Sequence, residues 1–220
     1  MTRQSLSERM ENKVYVLALT QDVPEEEYRT YVNPLHMRRY GCLQRRALVT
    51  AVKCMRDSGI LQPDAIINGT CMGSFEETEK LLDGLAEEGE SVSMPTHFML
   101  CTHNSVASLI GLYTHNHGYN NTYSQGNVSF ESAVLDAFLQ LKAGRIRTAL
   151  VCANDELTPA FQSILKRLGV SESLFCDRSI AMMLSVEGGD HPIREITGIK
   201  IWHEKGKGDR AQINYKEICD

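Results

Sequence analysis

The chain predicts an α/β layered fold in which a mixed sheet is covered by helices on both faces, and three observations carry that expectation. Short apolar runs rich in β-branched residues alternate with segments of helical periodicity. Several of those runs are apolar throughout rather than at every second residue, the pattern of strands that meet water on neither face. Glycine, proline or serine punctuates most junctions.

The elements follow in order. KVYVLALTQ, Lys13 to Gln21, reads as a buried strand, and CLQRRALVTAVKCMRDSGI repeats apolar residues at helical spacing until Ser58-Gly59 stops it. After Pro63, DAIINGT is a second buried strand that breaks at Gly69. Ser74 with Glu77 three positions on predicts a capping box opening the helix FEETEKLLDGLAEEG. A polar loop leads to HNSVASLIGLY, a helix of small residues able to pack closely. HGYNNTYSQG then reads as a Gly- and Asn-rich turn before a long helix from about Val128 to Lys142, closed by Ala143-Gly144. RTALVCAND is a buried strand, and TPAFQSILKRLG is a helix with Pro159 in its first turn and Gly169 at its end. RSIAMMLSVEGG and REITGIKIWHE close the sheet. The expected division is a tail over 1–12, one body over 13–204 and a polar tail over 205–220.

Composition excludes several functions. The 220 residues are 42% hydrophobic, enough for a single core, and 23 basic residues against 28 acidic ones give a net charge of -5. No field favours nucleic acid or an anionic membrane. The opening MTRQSLSERMENK has no apolar stretch resembling a signal, and no run approaches the ~18 apolar residues that span a bilayer, so a cytoplasmic setting is expected. The seven cysteines are odd in number and lack CxxC pairing, which predicts reduced core thiols.

Residues able to do chemistry are few. Cys101, His103, His115 and His117 supply metal-ligand atoms, but a regular helix between His103 and His115 would hold them ~18 Å apart, so no metal is expected. Cys101 with His103 is a nucleophile and base only if the segment is extended, since residues two apart share a face in a strand and not in a helix. Cys71, in GTCMG, is a second thiol candidate, in a segment without the phosphate-cradling glycine patterns. TYSQGNVSFESAVLDAF, residues 122 to 138, places a polar loop before a buried helix, where Asn127 is a good N-cap.

From MPTHFMLCTHNSVASLIGLY through GYNNTYSQGNVSFESAVLDAF to ALVCANDELTP, the order of pieces resembles the N-terminal half of a β-ketoacyl synthase, of thiolase fold. THNSVAS, GYNNTYSQ and SFESAVLDA resemble in particular the ketosynthase-like proteins of aryl polyene and flexirubin-type pigment pathways, which are similar to chain-length factors. The resemblance implies a cysteine at the start of the buried helix, where the helix dipole and backbone N–H groups favour thiolate and oxyanion. In the family that cysteine falls nine residues after the glycine of the preceding turn and seventeen before the glycine closing the helix. Counted from Gly118 and from Gly144, both anchors arrive at Asn127. A carboxamide does not attack thioesters, and the Ser-Gly that follows in the family is here Ser129-Phe130. Gln125 lies two positions too early to replace the cysteine. The family's catalytic histidines belong to a C-terminal half, and here ITGIKIWHEKGKGDRAQ resembles the link into it.

The resemblance therefore implies a subunit without a nucleophile, pairing with a catalytic ketosynthase and served by an acyl carrier protein in fatty-acid-like, polyene or polyketide assembly, with no cofactor. Leu100, Leu109, Tyr113 and Phe130 are its expected tunnel-floor residues, and Tyr119, Asn121 and Tyr123 its expected dimer contacts. Two alternatives stand beside it: an acyltransferase using the displaced Cys101, and a homodimeric module that binds acyl groups or their carrier.

Overall fold

A computed structural model describes residues 12–89, 93–170, 177–189 and 191–218. Its order is β1 (Val14–Gln21), α1 (Tyr28–Tyr31), α2 (Pro34–Met37), α3 (Cys42–Asp57), β2 (Ala65–Gly69), α4 (Phe75–Glu88), α5 (Pro95–Leu100) and α6 (Ser105–Thr114). The chain continues through β3 (Tyr119–Tyr123), α7 (Ser129–Lys142), β4 (Thr148–Asp155), α8 (Pro159–Leu168), β5 (Arg178–Ser185), β6 (Arg194–Glu204) and β7 (Gly208–Glu217). The seven strands form one mixed sheet in the order β3-β2-β4-β5-β1-β6-β7. β2 runs parallel to β3 and β4, and the remaining neighbours are antiparallel.

Each face of the sheet has its own core. On one, Ile66, Leu150 and Met183 pack under α3 and α6 through Leu48, Ala51, Ala107 and Ile110. On the other, Ile67, Val151 and Leu184 pack under α7 through Ala133, Val134, Ala137 and Leu141. Strand residues thus alternate between two dry layers, which is why β2 and β4 read as continuous apolar runs.

Four sequence expectations are corrected. HGYNNTYSQG is not all turn: Tyr119–Tyr123 pairs with Ala65–Gly69, because Tyr119 N–H reaches Asp64 O and seats the segment beside β2. The polar tail expected over 205–220 contains β7, hydrogen-bonded along β6 from Arg194–Glu217 to Glu204–Gly208. Its side chains are mostly exposed, so no apolar period marks it. Ser74 is the N-cap of α4 but makes no capping-box bond; Glu156, from the end of β4, accepts Ser74 Oγ (3.2 Å) and Glu76 N–H (2.8 Å) instead. Of the thiols, Cys54 and Cys152 are buried, Cys71 and Cys101 half-buried and Cys42 exposed, all five unpaired; Cys176 and Cys219 lie outside the described residues. No described helix is long and apolar enough to cross a membrane.

Candidate functional site

The segment where both glycine anchors meet lies at the start of α7, against the C-terminal ends of β2 and β3. A side-chain carbon on Gly69 would lie 2.5 Å from Ser129 O, so only glycine lets the helix start rest on β2. The loop from β3 is held by Thr70 N–H on Tyr123 O (3.0 Å) and Ser124 Oγ on Cys71 O (3.4 Å). Gly126, at φ 57°, turns the chain into a 3-10 turn over Gly126–Val128 that runs into α7.

Asn127 is not the N-cap. It sits inside the 3-10 turn, Val128 holds the cap position without a side-chain bond, and the Asn127 amide donates instead to Asp209 O on β7 at 2.9 Å. Ser129 does the local work: its hydroxyl accepts Gln125 N–H (2.9 Å) and donates to Gly126 O (2.7 Å). Ser132 Oγ reaches both Val128 O (2.8 Å) and Gln125 Oε1, folding the Gln125 side chain back onto the helix start. Phe130 packs at the edge of the α7 core. Asn127→Ala therefore removes one exposed hydrogen bond and is expected to cost about 0.5 kcal/mol in urea denaturation. A loss of ~1–2 kcal/mol would restore the capping role.

Across the loop stands a buried carboxylate. Asp155 Oδ1 accepts Thr70 Oγ1 (2.9 Å), Cys71 N–H (2.7 Å) and Met72 N–H (3.3 Å), with Arg178 3.8 Å from Oδ2. Burial raises the Asp155 pKa against the pull of those donors, and burial raises Glu156 in the same way. Beneath them Ser179 Oγ donates to Asn154 (2.6 Å), which donates to Asn68 (2.8 Å), all three buried.

Burial, then the charge of Asp155, pushes the Cys71 thiol up, with Arg178 opposing, so it stays a neutral thiol. Cys101 caps the C-terminus of α5 with φ -74° and ψ -12°, and its thiol donates to Phe98 O at 3.2 Å. That backbone is helical, so the extended geometry needed to align Cys101 with His103 is absent. The His103 ring packs over Gly73 instead. Ten residues of α6 separate His103 from His115, and no group of three metal-ligating side chains occurs among the described residues.

The residues expected to floor a tunnel are not brought together. Leu109 and Tyr113 belong to the α3 and α6 layer, while Phe130 lies across the sheet with α7. Leu100 lines a separate cleft of about 680 Å³ with Leu35 and Met99. The expected dimer contacts lie on β3, an edge of the sheet, but their side chains turn toward α7. Asn121 Nδ2 donates to Tyr119 OH (3.0 Å), which donates to Asp136 (3.0 Å). Tyr123 packs against the α7 core, and burial, then Asp136, pushes its phenol up to about 12. Among the described residues the outer edge of β3 pairs with no further strand, and Thr122 N–H is met there by Asn121 Oδ1 at 2.9 Å.

One feature was legible in the charge pattern and missed. Residues 28–56 carry seven basic side chains and no acidic one in a chain of net charge -5. Arg46 pairs with Asp177, Lys53 with Asp57, and Arg56 holds Thr30 O and Tyr31 O. Arg29, Arg38, Arg39 and Arg45 instead line two adjoining clefts that share Arg38. Leu35 and Met99, each 70% exposed, stand beside them.

A family model described as the N-terminal domain of beta-ketoacyl synthase matches residues 12–213. No curated protein matches the chain. Among solved structures it is similar to AntDE:AntF, a type II polyketide synthase acyl-carrier protein in complex with its ketosynthase bound to the hexaketide. That match has 15% identity and a TM-score of 0.74, and covers 89% of this chain and 70% of that one. The ketosynthase ApeO in complex with its chain length factor ApeC, from Xenorhabdus doucetiae, matches at 17% identity and TM-score 0.65, covering 88% and 84%. The ishigamide ketosynthase/chain length factor matches at 12% and 0.73, covering 89% and 68%. At these identities the structures establish a shared fold.

Proposed function

This chain belongs to the β-ketoacyl synthase family through its N-terminal domain, and we propose that it works there as a non-catalytic, chain-length-factor-like subunit. Its partner is a catalytic ketosynthase, and its setting is a cytoplasmic fatty-acid-like, polyene or polyketide assembly. One observation carries the reading: the position selected by both glycine anchors is Asn127, whose amide is tied to Asp209 O, while burial pushes up the thiol of Cys71 across the loop. An amide there forms no acyl-enzyme, so the subunit acts through shape and contact.

The partner's place is the β3 edge, where outer backbone groups are free to extend the sheet. Leu109 and Tyr113 on α6 stand over the sheet near that edge and are the side chains we assign to limiting the partner's acyl tunnel. Leu100 and Phe130 fall on other surfaces. Arg29, Arg38, Arg39 and Arg45, which form no ion pair among the described residues, fit an acyl carrier protein with an acidic surface, with Leu35 and Met99 as apolar contacts. We extend the domain through β7, to residue 217.

Co-expression with a catalytic ketosynthase from the same gene neighbourhood tests the reading. A one-to-one complex by native mass is expected, and Thr122→Pro, which removes an outward N–H at the β3 edge, should abolish it. A stable homodimer that ignores the ketosynthase would favour a self-sufficient acyl or carrier-binding module.

A further inference from the structure

The cleft of about 680 Å³ that Leu100 lines lies between α2 and α5, and other side chains anchor both helices. Asn33 Oδ1 caps α2 by accepting Leu35 N–H (3.0 Å), Met37 is buried, and the Tyr113 ring meets His36 edge-on at 5.7 Å. On the other wall Leu100 O accepts Gln44 Nε2 (3.1 Å), and His97 Nδ1 lies 2.5 Å from Glu77 Oε2, which ties α5 to α3 and α4. Leu35 and Met99 take no part in that anchoring. They line the cleft at 70% exposure each, together with half-buried Tyr40 and Leu100. A concave, preformed site with apolar side chains in water favours a ligand that covers them.

The charge on the lining has one sign. Arg38 and Arg39 line the same cleft, no acidic side chain does, and neither guanidinium forms an ion pair among the described residues. Glu25 and Glu26 line the adjoining cleft and form no ion pair with Arg38. Two uncompensated guanidiniums beside apolar side chains, in a chain of net charge -5, select a ligand with an anionic head joined to an aliphatic tail. A small anion alone would leave the apolar lining wet, and an uncharged tail would leave the arginines without a partner.

We propose that this cleft binds a long-chain carboxylate, its head on Arg38 and Arg39 and its tail along Leu35, Tyr40, Met99 and Leu100. Binding of a free amphiphile needs neither a ketosynthase nor a carrier protein, so it stands apart from the subunit role proposed above, although a carrier would meet the same arginines.

The test titrates the full chain with octanoate, decanoate and dodecanoate below their micelle concentrations, following heat of binding and Tm. Acetate serves as the head alone and decyltrimethylammonium as the same tail with the opposite charge. Decanoate is expected to bind with a Kd below about 1 mM and to raise Tm by about 2 °C, while acetate does neither. Two further carbons should tighten binding by about 4-fold, half the full transfer value because the cleft is open. Decyltrimethylammonium should bind ~10-fold more weakly or worse. Arg38→Ala combined with Arg39→Ala should weaken decanoate by ~10-fold or more, and so should Met99→Asp; all three positions are exposed, and an unchanged Tm without ligand confirms folding. No heat and no Tm change up to about 5 mM decanoate would overturn the proposal. Equal affinity for decanoate and decyltrimethylammonium would do so too, as would an affinity that these variants leave unchanged.

Discussion

Gly69→Ala is expected to cost about 3 kcal/mol or more and to leave little folded protein. The added methyl would meet Ser129 O at 2.5 Å, Ser129 C at 2.6 Å and Phe130 N at 2.7 Å, all backbone atoms of α7 that cannot rotate aside. Relief would require lifting the start of α7 from β2, and with it the buried Ala133, Val134 and Ala137 that seal one core. Close packing leaves no room for that shift without opening voids. Urea denaturation followed by far-ultraviolet circular dichroism measures it. A variant as stable as the wild type would mean that α7 does not approach β2 so closely.

Asp155→Ala is the second large effect, about 3 kcal/mol. The substitution strands Thr70 Oγ1, Cys71 N–H and Met72 N–H, removes the carboxylate 3.8 Å from Arg178, and loosens the turn between β2 and α4. The same carboxylate sets a pH dependence. Burial raises Asp155 and Glu156 above 3.8 and 4.5, so just above those values the folded chain holds protons that the unfolded chain has released. Stability contributed by these two groups therefore falls as pH rises through that window. Asp155→Asn is expected to flatten this slope in melts across the carboxylate range, and an unchanged slope would remove Asp155 as its source.

Much of the fold was legible because burial on both faces leaves an unmistakable signature. AIING and TALVCAND carry unbroken apolar runs, 65–67 and 149–153, because each lies between two dry layers. β7 escaped because it lies at an open edge, where GDRAQINYKE gains its order from pairing with β6 rather than from burying a face. The short strand YNNTY was hidden because Asn and Gly are turn formers, and only the parallel ladder with β2 overrides that preference. At the site, glycine spacing located Asn127, since Gly118, where a side-chain carbon would meet Asp64 O at 2.4 Å, and Gly144, at φ 64°, both demand glycine. Its partner Asp209 was out of reach, because no local rule links residues 82 apart in sequence. The arginines between 28 and 56 were visible as charge but gained meaning only when α1, α2 and α3 brought four of them around adjoining clefts.

Intact mass after treatment with cerulenin, an electrophile directed at the ketosynthase cysteine, tests most directly whether this chain has lost its nucleophile. The purified chain is expected to keep its unmodified mass under conditions that label a catalytic ketosynthase stoichiometrically, since Asn127 stands in the turn before α7 and burial pushes the Cys71 thiol up. A single stoichiometric adduct mapped to one cysteine, Cys101 above all, would contradict the account and make the chain an acyltransferase in its own right.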